Sequence, residues 1–376
     1  MEKKEQTPEA TGPFADAKVL YTLPWSREAI TDVAFIGNER VAAANKRGEI
    51  LVWNLSALDD KTTDPARLLS GHTNEINRLL VTPDGKTLIS VSSDHTVRYW
   101  DALSDQGEKG VVVLNGIERK PVIPLNAKPP EAPEPIEATV VVQKPLRELT
   151  GHREWVHGLA QTPDGKTLVT GDDEGVVIVW DRVAGTERRR WQGNFWVRAL
   201  GVSPDGKTVA ASEYFSHRHP EKEKDSYRRF RVWDVETGEP KLDCSEEIKD
   251  TMTAIRYSAD GKWLAVCVGD SGKEKPPGKV MLLDPETGKV IRDLEPPHLL
   301  GATDLAFHPD GKHLFSSGRD QLVKIWRLED GKHVRDLGTA KERGDWISGI
   351  SISPDGRLLA AADMKGQVVV YSLMAT

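Results

Sequence analysis

The stretch GHTNEINRLLVTPDGKTLISVSSDHTVRYWD, residues 71 to 101, decides the architecture. Two apolar runs flank Pro83-Asp84-Gly85, and the second half closes on Trp100-Asp101. Proline presets φ at the first turn position, aspartate tolerates the next and glycine takes the left-handed one, so the tripeptide closes a hairpin between two strands. The turn returns at Pro163-Asp-Gly165, Pro204-Asp-Gly206, Ala259-Asp-Gly261, Pro309-Asp-Gly311 and Pro354-Asp-Gly356, with Ile36-Gly-Asn38 as a degenerate copy. Seven hairpins are implied. Each turn is followed by a strand ending in a second mark: Trp53-Asn54, Trp100-Asp101, Trp180-Asp181, Trp233-Asp234, Leu283-Asp284, Trp326-Arg327 and Tyr371-Ser372. These marks lie 47, 80, 53, 50, 43 and 45 residues apart, a basic period in the forties lengthened by insertions. A third mark, Gly71-His72 and Gly151-His152, precedes Trp100 and Trp180 by 28 residues each, and Gly193-Asn194 is a weaker version.

Three marks in this order and spacing resemble the WD-repeat (WD40) family over about residues 18 to 373. The frequent Pro-Asp-Gly-Lys turns are similar in style to bacterial members. The resemblance implies an all-β fold: a seven-bladed β-propeller of four-stranded antiparallel blades around a central channel. Lys18-Val-Leu-Tyr-Thr-Leu23 is then the outer strand of the last blade and closes the ring, leaving no unpaired blade. The expected organisation is a disordered tail over residues 1–17 and a single propeller over 18–376. Departures from the family pattern, such as Leu283-Asp284, put individual hydrogen bonds in question and leave the fold intact.

Composition agrees with many short strands and tight turns. Gly 32 and Pro 23 in 376 residues are turn-rich without being low-complexity. A mean hydropathy of -0.47 and charged residues at 29% describe a soluble globular chain. The net charge of -7 offers no global basic field for nucleic acid or an anionic membrane, and Arg188-Arg-Arg190 is too small a patch to supply one. Two cysteines, Cys244 and Cys267, cannot frame a disulfide scaffold, and the first residues carry no apolar leader, so a cytoplasmic location is the default expectation.

Aligned on the turns, the first strands give one aliphatic column: Val33, Leu79, Leu159, Leu200, Ile255, Leu305 and Ile350. Two positions earlier the column is polar, Thr31, Asn77, His157, Arg198, Thr253, Thr303 and Ser348, and belongs at the channel mouth. His72 with a serine and Asp94 imitates a hydrolase triad. The resemblance gives those atoms another task, a hydrogen-bonded chain from the indole of Trp100 through a hydroxyl, Ser92 in preference to Ser90, to His72 and Asp94. The set returns as Thr170, His152, Trp180 and Asp173 in preference to Asp172. A catalytic triad has no reason to be copied, so this reading is structural.

Tryptophans outside the Trp-Asp slot bear on binding. Trp155, Trp196 and Trp346 fall eight residues before the prolines of their turns, and Trp25 and Phe195 occupy equivalent loops. Such residues can simply cap a blade. Beside Arg27, His157 and Arg198 they make a candidate partner-binding rim, because aromatics and arginines dominate interface energetics.

Three insertions interrupt the pattern. Residues 104–145 lengthen blade two, with Pro121, Pro124, Pro129, Pro130, Pro133 and Pro135 between valine runs at 111–113 and 140–142 that can form a hairpin stem. Residues 215–227 carry His217, His219 and Glu221, a thin metal set lacking a firm third ligand. Residues 269–278 form a shorter loop on the same face. The function expected is a non-catalytic scaffold that binds a peptide or protein segment over the channel, monomeric on its own, with no metal, cofactor, nucleic acid or membrane. The alternative is a small-ligand or enzymatic propeller with a polar site at the channel mouth, where His157, Arg198, Asp32 and Asp304 gather.

Overall fold

The computed structural model describes residues 12–25, 28–59, 63–114, 136–193, 195–214, 228–248, 250–269, 278–338 and 345–374. Alternating apolar and polar residues between tight turns produce strands of three to nine residues among the described residues, arranged in seven sheets built on four antiparallel strands each. First strands run Ile30–Ile36, Ile76–Val81, Val156–Gln161, Trp196–Val202, Met252–Tyr257, Ala302–Phe307 and Ile347–Ile352, blades one to seven. Each packs against the first strands of the two neighbouring blades, and blade seven meets blade one. The chain therefore forms a closed seven-bladed propeller.

Closure comes from the strand Lys18–Pro24, which pairs antiparallel with Gln367–Ser372 and makes the fourth strand of blade seven. Within the expected tail, residues 1–11 lie outside the described residues. Residues 12–17 instead form a turn, and Phe14 and Ala17 pack against the cluster between blades six and seven. The turns work as their residues dictate. At Pro83-Asp84-Gly85, Thr82 Oγ1 donates to Asp84 Oδ1 over 2.6 Å, and Gly85 has φ of 69°, a left-handed value that suits glycine.

The polar column has a cause that the sequence pattern hides. In every blade the pairing of the first strand with the second slips by a bulge near the strand's start. Thr31, Asn77, His157, Thr253, Thr303 and Ser348 are the extra residues; in blade four the slip spans Arg198 and Ala199. An unpaired bulge residue is free to aim its side chain away from the sheet, here into the channel mouth.

The insertion between the third and fourth strands of blade two ends up on blade one. Glu108–Leu114 pairs with Ile136–Gln143, and the latter adds parallel to Arg67–Ser70, the fourth strand of blade one, giving a six-stranded sheet. The valines share one hairpin, but Val111 faces Thr139 and Val140 faces Gly110, so the runs do not pair with each other. Arg67, 1% exposed, pins the root: its guanidinium donates to the carbonyls of Asp101, Ala102 and Ser104 and to Gln143 Oε1. The Pro-rich tip lies outside the described residues, as do the loop with His217, His219 and Glu221 and residues 270–277.

Candidate partner-binding face

Among the described residues, three blades carry the same internal lock. In blade two Trp100 Nε1 donates to Ser90 Oγ over 2.8 Å, His72 Nε2 lies 2.7 Å from that hydroxyl, and His72 Nδ1 lies 2.8 Å from Asp94 Oδ2. The indole can only donate and the carboxylate only accept, so the hydroxyl proton points to Nε2 and the imidazole proton to Asp94. The hydroxyl is Ser90; Ser92, chosen on sequence grounds, shares the strand face two residues on and donates to the carbonyl of Asn74. Blade three repeats the lock with Trp180, Thr170, His152 and Asp172. Here Asp172 corrects the expected Asp173, because successive strand residues point to opposite faces. A third lock, Trp326, Ser316, His298 and Asp320, was not read from the sequence because Pro297 replaces the marking glycine. Its histidine keeps the offset of 28 residues from the tryptophan, the signal that could have found it.

Burial lowers the His72 pKa despite its bond to Asp94, so the ring is neutral near pH 7. Burial works against ionisation of Asp94 too, but the bonds from His72, Thr96 and the Thr73 amide outweigh it and hold the carboxyl well below its usual range. A neutral histidine whose two nitrogens are both committed to a lock holds the blade and has no lone pair free for a substrate.

The seven bulge-column residues all line one cavity of about 280 Å³ at the channel mouth. Arg78 lies beneath it and also lines a second cavity of about 420 Å³ that continues toward the turns. Its Nη1 sits 3.8 Å from a carboxylate oxygen of both Asp32 and Asp304, and its Nη2 donates across the channel to the Thr253 carbonyl over 3.2 Å. Arg256 donates to Asp304 Oδ1 over 3.2 Å. Burial, with a contribution from Asp304, pushes the Asp32 pKa up to about 6 against the pull of Arg78. Gly349 leaves room for this carboxylate: a Cβ there would stand 2.5 Å from Asp32 Oδ1. The cluster ties blades one, two, five and six across the axis.

Around the mouth the expected rim separates into parts. Trp155 and Trp346 are 47% and 43% exposed. Trp196 is half-buried, edge-on to Tyr214, with the Arg198 guanidinium 4.6 Å above its ring; Phe195 beside it is half-buried. His157 Nε2 and Arg198 Nη2 approach the same oxygen of Asp173, at 3.4 and 3.3 Å. Burial opposes ionisation of Asp173, yet the approach of the His157 ring and the charge of Arg198 hold its pKa low. This is the work of the aspartate first assigned to the lock.

Trp25 departs from the rim. It is 2% exposed and meets Trp53 edge-on at 6.0 Å. It precedes Trp53 by the same 28 residues that separate histidine and tryptophan in the locks, and so fills the histidine slot of blade one. Arg27 lies outside the described residues. Outside the sequence-derived set, the rim also holds Leu299, 71% exposed, and Leu300 in the loop entering blade six, as well as Arg319, whose guanidinium lies 4.7 Å over Trp346. Two adjacent leucines before the glycine that enters a first strand were the available signal.

The model of the WD domain, G-beta repeat, matches residues 63–101, 143–181, 288–327 and 334–372. Each match runs from the fourth strand of one blade to the third strand of the next, and three of the four contain the complete locks. The target of rapamycin complex subunit wat1 of Schizosaccharomyces pombe is 25% identical over 253 residues, 65% of this chain and 74% of the relative. The nuclear distribution proteins PAC1 of Arthroderma benhamiae and Trichophyton verrucosum are each 24% identical over 367 residues, 91% of this chain and 68% of theirs. These relatives are fungal and lend no support to the bacterial likeness. WD40 repeats are thus found in blades two, three, six and seven of this propeller.

Proposed function

We propose that this chain is a non-catalytic interaction scaffold whose partner, a protein segment, lies across the channel mouth on the face where chains enter the first strands. The observation that carries this reading is the pair of exposed aromatic centres on opposite sides of one polar cavity. On one side stand Trp155, Trp196, His157 and Arg198, and on the other Trp346, Arg319 and Leu299. Aromatic and arginine side chains around a polar centre supply both contact area and directional bonds. One relative is named as a complex subunit, which fits a protein partner. With this reading go a chain that is monomeric on its own, cytoplasmic, and free of catalytic residues, metal, cofactor, nucleic acid and membrane attachment. No helix among the described residues is long and apolar enough to cross a membrane.

The test is comparative capture. Trp155→Ala combined with Arg198→Ala should weaken retention of the principal partner at least tenfold, about 1.4 kcal/mol, with little change in fold. Normal retention by the double variant together with loss on deleting residues 115–138 would move the site to the Pro-rich arm.

A further inference from the structure

The cleft between blades six and seven on the face of the Pro-Asp-Gly turns is filled by this chain's own Phe14. Its ring stands edge-on to His308, His313 and Phe315 at 5.3, 5.0 and 5.4 Å. Arg335 Nη1 donates to the carbonyls of Phe14 and Ala15, which fixes the backbone of the inserted segment. One phenyl ring with two adjacent carbonyls is therefore what a cleft of this type accepts.

The repeat places the same cleft elsewhere. Counted from the turns, His308 and His313 of blade six correspond to Ser203 and Thr208 of blade four, and Phe315 to Ala210. Ile325, opposite Arg335, corresponds to Val232, opposite Leu242. Across the cleft, Ile352 and Gly356 of blade seven correspond to Tyr257 and Gly261 of blade five. Three rings on one wall are thus exchanged for Ser, Thr and Ala while Ile352 on the other gives way to the ring of Tyr257, and the cleft holds an open cavity of about 610 Å³ lined by Thr208, Val232, Leu242, Tyr257 and Gly261.

We propose that the cleft between blades four and five is a docking site for a partner protein segment that presents a phenylalanine, seated as Phe14 is seated between blades six and seven. The walls suit it: Val232 and Leu242 on one side and the ring of Tyr257 on the other offer apolar contact to an inserted ring. The carbonyl donor changes with the register, since Leu242 stands where Arg335 does. Lys207 and Lys241 at the rim take that role, their pairs among the described residues being solvent-accessible ones at 3.9 Å to Asp205 and 3.7 Å to Asp234. This site lies away from the channel mouth and stands or falls independently of the scaffold reading above.

The probe is the hexapeptide acetyl-Gly-Pro-Phe-Ala-Asp-Ala-amide, the sequence of residues 12–17. The wild-type chain should bind one equivalent by fluorescence anisotropy, and the peptide with alanine for phenylalanine should not bind. Leu242→Glu should weaken binding at least tenfold, whereas Phe14→Ala, which empties the other cleft, should raise the stoichiometry to two. A peptide carrying a photoreactive phenylalanine should crosslink wild-type protein within residues 203–208, 241–242 or 257–261, a readout that needs no variant. Binding to the Phe14→Ala chain alone, crosslinks elsewhere, or no saturable binding up to about 1 mM would overturn the proposal. Self-association of the free chain that Leu242→Glu abolishes would give the cleft to a second copy and overturn it equally.

Discussion

An indole N–H that can only donate orders the protons in all three locks, and removing the middle group leaves the ends stranded. His72→Ala exposes the Ser90 hydroxyl and the Asp94 carboxylate to an unfilled site. It should cost about 1 to 3 kcal/mol in chemical denaturation, with no ester or peptide hydrolysis to lose; turnover that depends on His72 would contradict the structural role. The pH dependence has a definite sign. His72 has a folded pKa below its unfolded value of about 6.5, so its stabilisation is present above that pH and is lost as pH falls. Asp32 runs the other way: its folded pKa of about 6 exceeds the unfolded value, so its contribution is full below the ordinary carboxylate range and is lost as pH rises through about 6. Asp32→Asn, which cannot ionise, should remove that group's part of the stability change between pH 4 and 6. An unchanged difference between wild type and variant across that window would show that Asp32 titrates normally. At this scale the sequence disclosed residue types better than partners. The lock was legible in His72, Asp94 and Trp100, but Ser90 and Ser92 share a strand face, and only distance separates them.

Strands were legible wherever turns bracketed them, and the closing strand was legible because residues 18–23 have no hairpin partner of their own. Lys18–Pro24 supplies the whole outer edge of blade seven, burying Leu23 against blades seven and one. Removing residues 1–24 should expose the edge of Gln367–Ser372 and lower the melting temperature by about 5 °C or more; an unchanged value would contradict closure. The bulges were not legible, because an extra residue in a strand changes no composition and breaks no apolar alternation that a short strand can display. Nor was the destination of the 104–145 hairpin, which depends on Arg67 of blade one reaching carbonyls at the end of the third strand of blade two and in the connection that follows it. Trp25 misled for a related reason: two slots, rim and lock, lie close together in the loop that enters a blade, and only the offset to Trp53 tells them apart.

At the scale of the molecule, seven copies of one unit give a rigid ring, and its differences reside in the loops and clefts where the copies diverge. A net charge of -7 sets no direction for binding, so the partner is selected locally. The entry face offers two aromatic centres with arginines stacked on them, while the turn face offers a cleft filled by Phe14 and an open cleft between blades four and five. The most direct test of the entry face as the principal partner site is hydrogen–deuterium exchange on the chain with and without its captured principal partner. Protection is predicted in the loops around residues 153–157, 195–198, 299–301 and 345–346, on both sides of the channel mouth. Protection confined to the hairpin of residues 108–143 or to the Pro-Asp-Gly turns, with those four loops exchanging as in the free chain, would contradict it.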